Sequence, residues 1–336
     1  MGRVTRREPV LRLGAGANGA ATGVRTRDTV VAEEPLEIRV GGRQVAVTMR
    51  TPGDDFDLVA GYLAGEGVVH GPRELTQMRF CGDSACSGPV GLAGYRARNG
   101  IEVERVESAH ELYNIVDVDL APGVEVPLWS LDRTTYTTSA CGVCGKSSIE
   151  AVRANAHWSV AADPVRIAPE LLYSMPDKLR ARQRLFAKTG GLHAAGLFAA
   201  DGELLCVRED VGRHNAVDKV IGWALRADRL PLRGHLLMVS GRASFELVQK
   251  AAAAGIPVLA AVSAPSSLAV ELARESGMTL AGFVRGNAAN VYAGAERITL
   301  DRTGSAAGDS TPPDSTPAGS AAVGSAAAGS TAPISR

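Results

Sequence analysis

Two cysteines three positions apart are the residues of this chain most suggestive of chemistry. They stand in the run Ser139-Ala140-Cys141-Gly142-Val143-Cys144-Gly145-Lys146. A helix beginning at Cys144 would turn both sulfurs toward one point. The helix N-terminus and the lysine would both favour thiolate over thiol. The run therefore predicts exposed, reactive sulfur, which could bind a metal, exchange electrons or carry a sulfur atom.

The composition excludes several classes of protein. Lysine plus arginine and aspartate plus glutamate number 36 each, and aromatic residues make up 4%, which argues against binding nucleic acid by bulk charge or base stacking. No stretch approaches the roughly 18 apolar residues of a membrane helix, and the residues after Arg6-Arg7 form no signal core. The 5 cysteines do not suit a secreted disulfide framework. We therefore expect a cytoplasmic protein with reduced thiols that contacts neither nucleic acid nor membrane.

Composition also divides the chain into four parts. Residues 1–28 and 303–336 are rich in glycine, alanine and small polar residues, and we predict that both are disordered tails. Residues 29–128 form a predicted N-terminal α+β subdomain. Residues 129–302 form a predicted α/β domain that holds the cysteine run and a cofactor site.

The predicted N-terminal subdomain begins with a hairpin. Its β-rich runs Thr29–Val40 and Arg43–Arg50 are separated by Gly41-Gly42, a strong turn signal. The turn Thr51–Asp55 then leads into a helix with an acidic start. Further strands are predicted at Glu102–Val106 and Leu112–Val118.

The second half has a regular alternation of strands and helices. A helix around Pro169–Lys188 precedes two strands, Ala194–Ala199 and Glu203–Arg208. The remaining predicted elements alternate as helix Asn215–Leu225, strand Leu236–Val239, helix Phe245–Ala254, strand Pro257–Val262, helix Leu268–Ser276 and strand Thr279–Phe283. Several of these strands are apolar on both faces, as expected when helices cover both sides of a sheet. The pattern predicts a hairpin followed by βαβ units in an α/β sandwich.

Polar segments follow four of these strands. They are Arg208–Asn215, Ser240–Ser244, Ser263–Ser267 and Phe283–Asn290. Ligands of parallel sheets bind at the carboxyl ends of strands, where helix N-termini offer N–H groups to anions. The four segments together predict a site for a large anionic ligand that carries nucleotide. Considered separately, Ser263–Ser267 is predicted to cap a helix. Gly212-Arg213-His214 could either contact the ligand or form a structural turn with an ion pair to Glu209 or Asp210.

The residues themselves weigh against some of the sulfur chemistries. A zinc site could combine the cysteine run with Cys81 and Cys86, but that second spacing is loose. A zinc deaminase needs a glutamate two residues after its histidine, and Ala195 stands there after His193. A thioredoxin-type dithiol should follow an N-terminal β-α pattern, whereas this pair lies mid-chain. The remaining option is a thiolate that accepts sulfur as a persulfide. Cys206 falls in a strand and is predicted to be a buried hydrophobe.

Long segments across the folded part resemble the FdhD family of sulfur carriers, which serve formate dehydrogenases. The matching segments are Glu34–Leu36, Met49–Asp55, Gly65–Gly67, Cys141–Lys146, Thr189–Ala195, Arg208–Lys219, Ser240–Glu246 and Gly282–Tyr292. Ala140 departs from the family pattern, where many members have serine. This position lies outside the thiol pair.

The resemblance implies a cytidine-deaminase-like three-layer α/β sandwich without deaminase activity, in a homodimer. It implies a sulfurtransferase that accepts a persulfide from a cysteine desulfurase and passes sulfur to the molybdenum cofactor, as bis(molybdopterin guanine dinucleotide), destined for apo-formate dehydrogenase. Cys141 would carry the persulfide and Cys144 would assist, with no structural metal. The cofactor-binding residues implied by the match are Phe283, Val284, Arg285, Gly286, Asn287 and Ala288.

A second hypothesis stays open on the residues alone. The protein could be a non-catalytic chaperone that binds the cofactor and hands it over, with the cysteines serving only as docking or zinc ligands. In either case Arg242 and Arg285 are the candidates for contacts to phosphate.

Overall fold

The computed structural model describes residues 4–15, 21–81, 113–126 and 157–300. Cys86, Cys141 and Cys144 and the predicted strand Glu102–Val106 lie outside these ranges, as does the predicted tail 303–336. In the described ranges, no helix has the length and apolar character needed to cross a membrane.

The described chain begins with an antiparallel ribbon where the sequence predicted a disordered tail over residues 1–28. Strands β1 (Thr5–Ala15) and β2 (Ala21–Val31) pair along their whole length, from Thr5 opposite Val31 to Ala15 opposite Ala21. Valine and threonine are frequent in β2 and occur once each in β1, and their β-branched side chains favour extended backbone. Because the middle of the segment is rich in glycine and alanine, its overall composition indicated a disordered tail instead.

A four-stranded sheet follows, in the order β4-β3-β6-β5. The predicted hairpin is confirmed: β3 (Glu34–Val40) and β4 (Arg43–Arg50) are antiparallel neighbours. Gly41 and Gly42 join them with φ of 57° and 77°, the positive values that a type I′ turn requires and glycine tolerates. Strand β5 (Leu75–Phe80) has no counterpart among the predicted elements, and β6 (Ile115–Leu120) overlaps the predicted strand Leu112–Val118.

The larger sheet has six strands in the order β12-β11-β10-β9-β7-β8. They are β7 (His193–Phe198), β8 (Leu204–Asp210), β9 (Leu236–Val239), β10 (Val258–Ala261), β11 (Thr279–Arg285) and β12 (Ala288–Ala293). The hairpin followed by parallel strands is confirmed. Strand β12 has no counterpart among the predicted elements, because the short polar residues after β11 suit a loop. They instead form a tight turn that brings the chain back antiparallel.

Helices cover both faces of the larger sheet. On one face lie α4 (Arg213–Arg226), α5 (Phe245–Ala253) and α6 (Ser267–Ser276). On the other lies α2 (Pro169–Arg182), which is separated from the short α3 (Arg184–Thr189) by a break at Gln183 within the predicted helix. Successive residues of β9 and β10 alternate between the two cores, which explains why these strands are apolar throughout. The mixed α/β architecture is thus confirmed.

The helix predicted after the acidic turn is α1 (Asp55–Gly65), and it joins the two sheets by crossing α4 at very close range. A β-carbon at Gly61 would lie 1.8 Å from the carbonyl oxygen of Asp218, and one at Gly222 would lie 1.8 Å from that of Asp57. Glycine at both positions therefore lets the two backbones touch.

We expect Gly61→Ala to destabilise the protein by more than about 3 kcal/mol, because the added methyl group can be accommodated only if the helices separate. Urea denaturation followed by circular dichroism measures the change. Gly71→Ala is the matched control, since a β-carbon there meets nothing within 4 Å. Equal stability of the Gly61 variant and the control would contradict the close helix crossing.

Candidate functional site

The four polar segments predicted to form a site lie at the same edge of the larger sheet. Strands β9, β10 and β11 are parallel, and β7 is antiparallel to both β8 and β9. Strand β8 therefore runs in the same direction as β9, β10 and β11, and all four carboxyl ends meet. We call this edge, with the segments Arg208–Asn215, Ser240–Ser244, Ser263–Ser267 and Phe283–Asn290, the site edge.

Hydrogen bonds tie neighbouring segments of the site edge together. The hydroxyl of Ser240 accepts a bond from the amide of Ala194 (2.9 Å), at the start of β7. The amide of Ser263 donates to the carbonyl of Gly241 (3.4 Å), and the amide of Phe283 donates to the carbonyl of Ser263 (3.2 Å). The second, third and fourth segments are thus bonded to one another in order, and β7 lies between the second segment and the first.

The third segment behaves as the predicted helix cap. Ser266 precedes α6, and its Oγ accepts a hydrogen bond from the amide of Ala269 at 3.3 Å. This bond satisfies one of the free N–H groups of the first turn.

The carboxylates of the first segment have structural partners. Asp210 forms an ion pair with Lys219 (2.7 Å) in which both side chains are buried, and it accepts bonds from the amides of Thr51 and Gly212. Glu209 accepts the amides of Leu185 and Phe186 at the start of α3 (2.9 and 2.7 Å). The ion pair from Gly212-Arg213-His214 to Glu209 or Asp210, one of the two alternatives for this turn, is not formed, and His214 pairs with Glu246 instead (2.8 Å).

Asn215 and Lys219 fasten the first segment to the N-terminal half of the chain. The amide nitrogen of Asn215 donates to the carbonyl of Met49 at 2.8 Å, and Lys219 Nζ donates to the carbonyl of Thr51 at 2.9 Å. Arg208 extends this junction by pairing with Asp57 of α1 (2.8 Å). Sequence reasoning placed most of these residues at a ligand, whereas the structure shows that they hold the turn Thr51–Asp55 against the sheet.

Arginines without such partners remain at the site edge. Arg242 and Arg285 are exposed, and neither makes an ion pair within the described ranges. The buried Nε of Arg213 has no hydrogen-bond partner there either. The pKa of the half-buried His193 is lowered by burial and then by the charges of Arg213 and His214. His214 is paired with Glu246 at this edge (2.8 Å), whereas Arg242 and Arg285 remain available to an anionic ligand.

The six residues matched to the family's cofactor segment form the end of β11, a turn and the start of β12. Arg285, Gly286, Asn287 and Ala288 are exposed, whereas Phe283 is half-buried. Val284 is completely buried in the core, so only its backbone is available to a ligand. Gly286 in the turn has φ of 54°, a left-handed conformation that glycine adopts without strain. Phe283, within β11, has φ of 51° where the register of the β11–β12 pair shifts, a conformation that is rare for residues with a side chain.

The structure also describes the thiol of Cys206. This cysteine lies in β8 and is buried, as predicted, and burial raises the pKa of its thiol to about 11. A thiol with that pKa is protonated at neutral pH and is a poor nucleophile. Among the described residues, no group of three or more histidine, cysteine or acidic side chains is arranged to hold a metal ion.

Sequence comparison shows extensive similarity to curated bacterial proteins. A protein of Streptomyces coelicolor, named sulfur carrier protein FdhD, is 56% identical over 302 residues, covering 89% of this chain and 98% of its own. The protein of the same name from Mycobacterium tuberculosis is 54% identical over 272 residues, covering 81% of this chain and 92% of its own.

Structural comparison adds a solved fold. A crystal structure from Desulfotalea psychrophila, described as a formate dehydrogenase accessory protein, superposes with a TM-score of 0.61 at 23% identity, covering 87% of this chain and 99% of the other. The model of the FdhD/NarQ family matches residues 31–299, which include both sheets and the whole site edge. The chain therefore belongs to the FdhD/NarQ family.

Proposed function

We propose that this protein is a sulfur carrier and sulfurtransferase. It accepts a persulfide from a cysteine desulfurase and delivers sulfur to the molybdenum cofactor, in its bis(molybdopterin guanine dinucleotide) form, on the way to apo-formate dehydrogenase. It works in the cytoplasm as a homodimer, and the cofactor is its substrate rather than a resident group. The names of its relatives support the sulfur-carrying role.

The chemistry begins at Cys141. Its thiolate attacks the outer sulfur of the donor persulfide, which releases the donor thiolate and leaves a persulfide on Cys141. Attack of the Cys144 thiolate on the inner sulfur then forms a Cys141–Cys144 disulfide and releases hydrosulfide to the molybdenum centre. A cellular thiol reduces the disulfide before the next cycle. Glycines beside both cysteines allow the donor and the bulky cofactor to approach.

The observation that carries the proposal is the unneutralised charge at the site edge. Arg242 and Arg285 are exposed on the two segments that flank Ser263–Ser267, while the acids nearby are committed to Lys219, to the start of α3 and to His214. Guanidinium groups bind phosphate with short, charge-assisted hydrogen bonds. A dinucleotide cofactor supplies the phosphates that such groups would bind.

We expect the wild-type protein to gain the mass of one sulfur atom after incubation with a cysteine desulfurase and cysteine, and Cys141→Ala to gain none. Intact-protein mass spectrometry measures the gain. Cys206→Ala is the matched control and should load sulfur normally. Absence of sulfur from the wild-type protein would reject the sulfurtransferase and leave the cofactor chaperone as the better hypothesis.

Alkylation should distinguish the cysteine run from the buried thiol. At pH 7.5 we expect iodoacetamide to modify Cys141 and Cys144 in the folded protein, and Cys206 only after denaturation, because its pKa is raised to about 11 and thiolate is the reactive form. Peptide mass spectrometry locates the labels. Rapid labelling of Cys206 in the folded protein would contradict its assignment as an inert core residue.

Guanosine diphosphate is a suitable probe for the nucleotide half of the cofactor. We expect Arg242→Met and Arg285→Met each to weaken its binding by about tenfold, the loss expected when one charge-assisted hydrogen bond is removed. Isothermal titration calorimetry measures the affinity. Arg274→Met, which removes another exposed arginine from the far end of α6, should bind like wild type. Unchanged affinity in both site variants would place the phosphates elsewhere.

A further inference from the structure

A cavity of about 180 Å³ lies beside β8, the edge strand of the larger sheet, next to the first segment of the site edge. Residues 51–54 form one of its walls. This wall is bonded to the end of β8, because the amide of Thr51 donates to Asp210 and its hydroxyl accepts the amide of Val211. Sites for drug-sized ligands occupy about 300–1,000 Å³, so this cavity suits a single ring system rather than a whole dinucleotide.

Part of the cavity wall is apolar. Val4, Pro52, Leu185 and Val207 contribute to it from four different parts of the chain. Binding sites for small molecules typically combine such walls with a few polar groups that fix the orientation of the ligand. Apolar walls suit the faces of a flat heteroaromatic ring, whose polar atoms lie at its edge.

Several charged side chains around the cavity are held by close protein partners. Lys219 pairs with Asp210 at 2.7 Å, and Arg208 pairs with Asp57 at 2.8 Å. The carboxylate of Glu209 accepts two amides at the start of α3. These groups fix the walls of the cavity and are not available to a ligand.

Asp54 and Arg182 are the charged residues of the lining that remain available. The Asp54 side chain is 54% exposed, and its one ion-pair contact in the described part of the chain is 3.5 Å long, to an Arg208 guanidinium that Asp57 approaches more closely. Arg182 is exposed and has no ion pair within the same ranges. Asp54 also has φ of 53°, a conformation that is rare for residues with a side chain and that concentrates at ligand sites.

The cavity lies at a suitable distance from Arg242, the proposed phosphate contact. Only β7 separates β8 from β9, and neighbouring strands are about 4.8 Å apart, so the carboxyl ends of β8 and β9 are about 10 Å apart. His193, at the start of β7, lies in this interval. A nucleoside diphosphate carries its ribose between base and phosphates. With its base in the cavity, it would therefore reach Arg242 with its phosphates.

We infer that Asp54 recognises the edge of a 2-amino-4-oxopyrimidine ring, the ring that guanine and pterins share. The two carboxylate oxygens accept the ring N–H and the adjacent amino group, and the planar guanidinium of Arg182 stacks on the ring face. Adenine does not present this pair of neighbouring donors. The inference rests on the proposed function and adds to it the part of the cofactor that the cavity takes, its guanine or its pterin.

Calorimetry with guanosine, inosine and xanthosine diphosphates tests the guanine assignment. Inosine diphosphate lacks the amino group, so wild type should bind it about tenfold more weakly than guanosine diphosphate, the loss of one charge-assisted hydrogen bond. Asp54→Asn should reverse the preference between guanosine and xanthosine diphosphates, because its amide nitrogen donates to the 2-oxo group of xanthine while its oxygen accepts the ring N–H. A variant that had merely lost its fold would show no such reversal.

The backbone gives this substitution a matched control. Asparagine tolerates the left-handed conformation of position 54 as aspartate does. Asp228 is likewise exposed and left-handed, with φ of 55°, but lies beyond the C-terminal end of α4. Asp228→Asn should therefore keep the wild-type preference for guanosine diphosphate. Thermal unfolding checks that both variants are folded.

Neopterin distinguishes the two rings that the cavity could take. If Asp54→Asn weakens the binding of neopterin about tenfold and leaves the nucleotide preferences unchanged, the cavity takes the pterin. If wild type binds guanosine diphosphate but Asp54→Asn changes neither the nucleotide preferences nor the binding of neopterin, the inference is wrong and the proposed cofactor site stands. If wild type binds none of these probes, the proposed cofactor site itself fails.

Discussion

The buried carboxylate of Asp210 is the constraint on which the arrangement of the site depends. It lies at the end of β8 and is paired with the equally buried Lys219, while Thr51 and Gly212 donate their amides to it. Removing one partner of such a pair leaves an uncompensated buried charge, at a cost of about 3–5 kcal/mol. The pair therefore fixes the start of α4, the end of the sheet and the turn Thr51–Asp55 as one unit.

Close packing of α1 on α4 extends this constraint through the molecule. Gly61 and Gly222 allow backbone contact between the two helices, and Arg208 pairs with Asp57 across the same junction. The N-terminal half and the larger sheet are thus joined by backbone contact and by charge together. A site edge supported in this way holds its segments at fixed distances before any ligand arrives, which lowers the entropic cost of binding.

Much of this architecture could be predicted from the sequence, because alternating strands and helices leave clear periodic signals. The hairpin at Gly41-Gly42 and the strand Leu236–Val239 are confirmed. The predictions are wrong where the local composition indicates a loop but pairing with a neighbouring strand produces a β-strand. The ribbon Thr5–Val31 and the return strand β12 both contain short polar or small residues that suit loops, and only pairing with a neighbour makes them strands.

Predicting the site required separating charges with structural partners from those without them, which residue type alone cannot do. Judged by residue type, a ligand site could use Glu209, Asp210 and Lys219 as readily as Arg242. The structure instead gives the first three residues protein partners that lie far away in sequence or on other elements. Ser244 and Ser266 show the same difficulty: the sequence places a serine before each helix, but the Ser266 hydroxyl caps α6 whereas the Ser244 hydroxyl lies 3.2 Å from His214 Nε2. In this family member, the contacts that a polar residue already makes indicate its function better than its chemical type does.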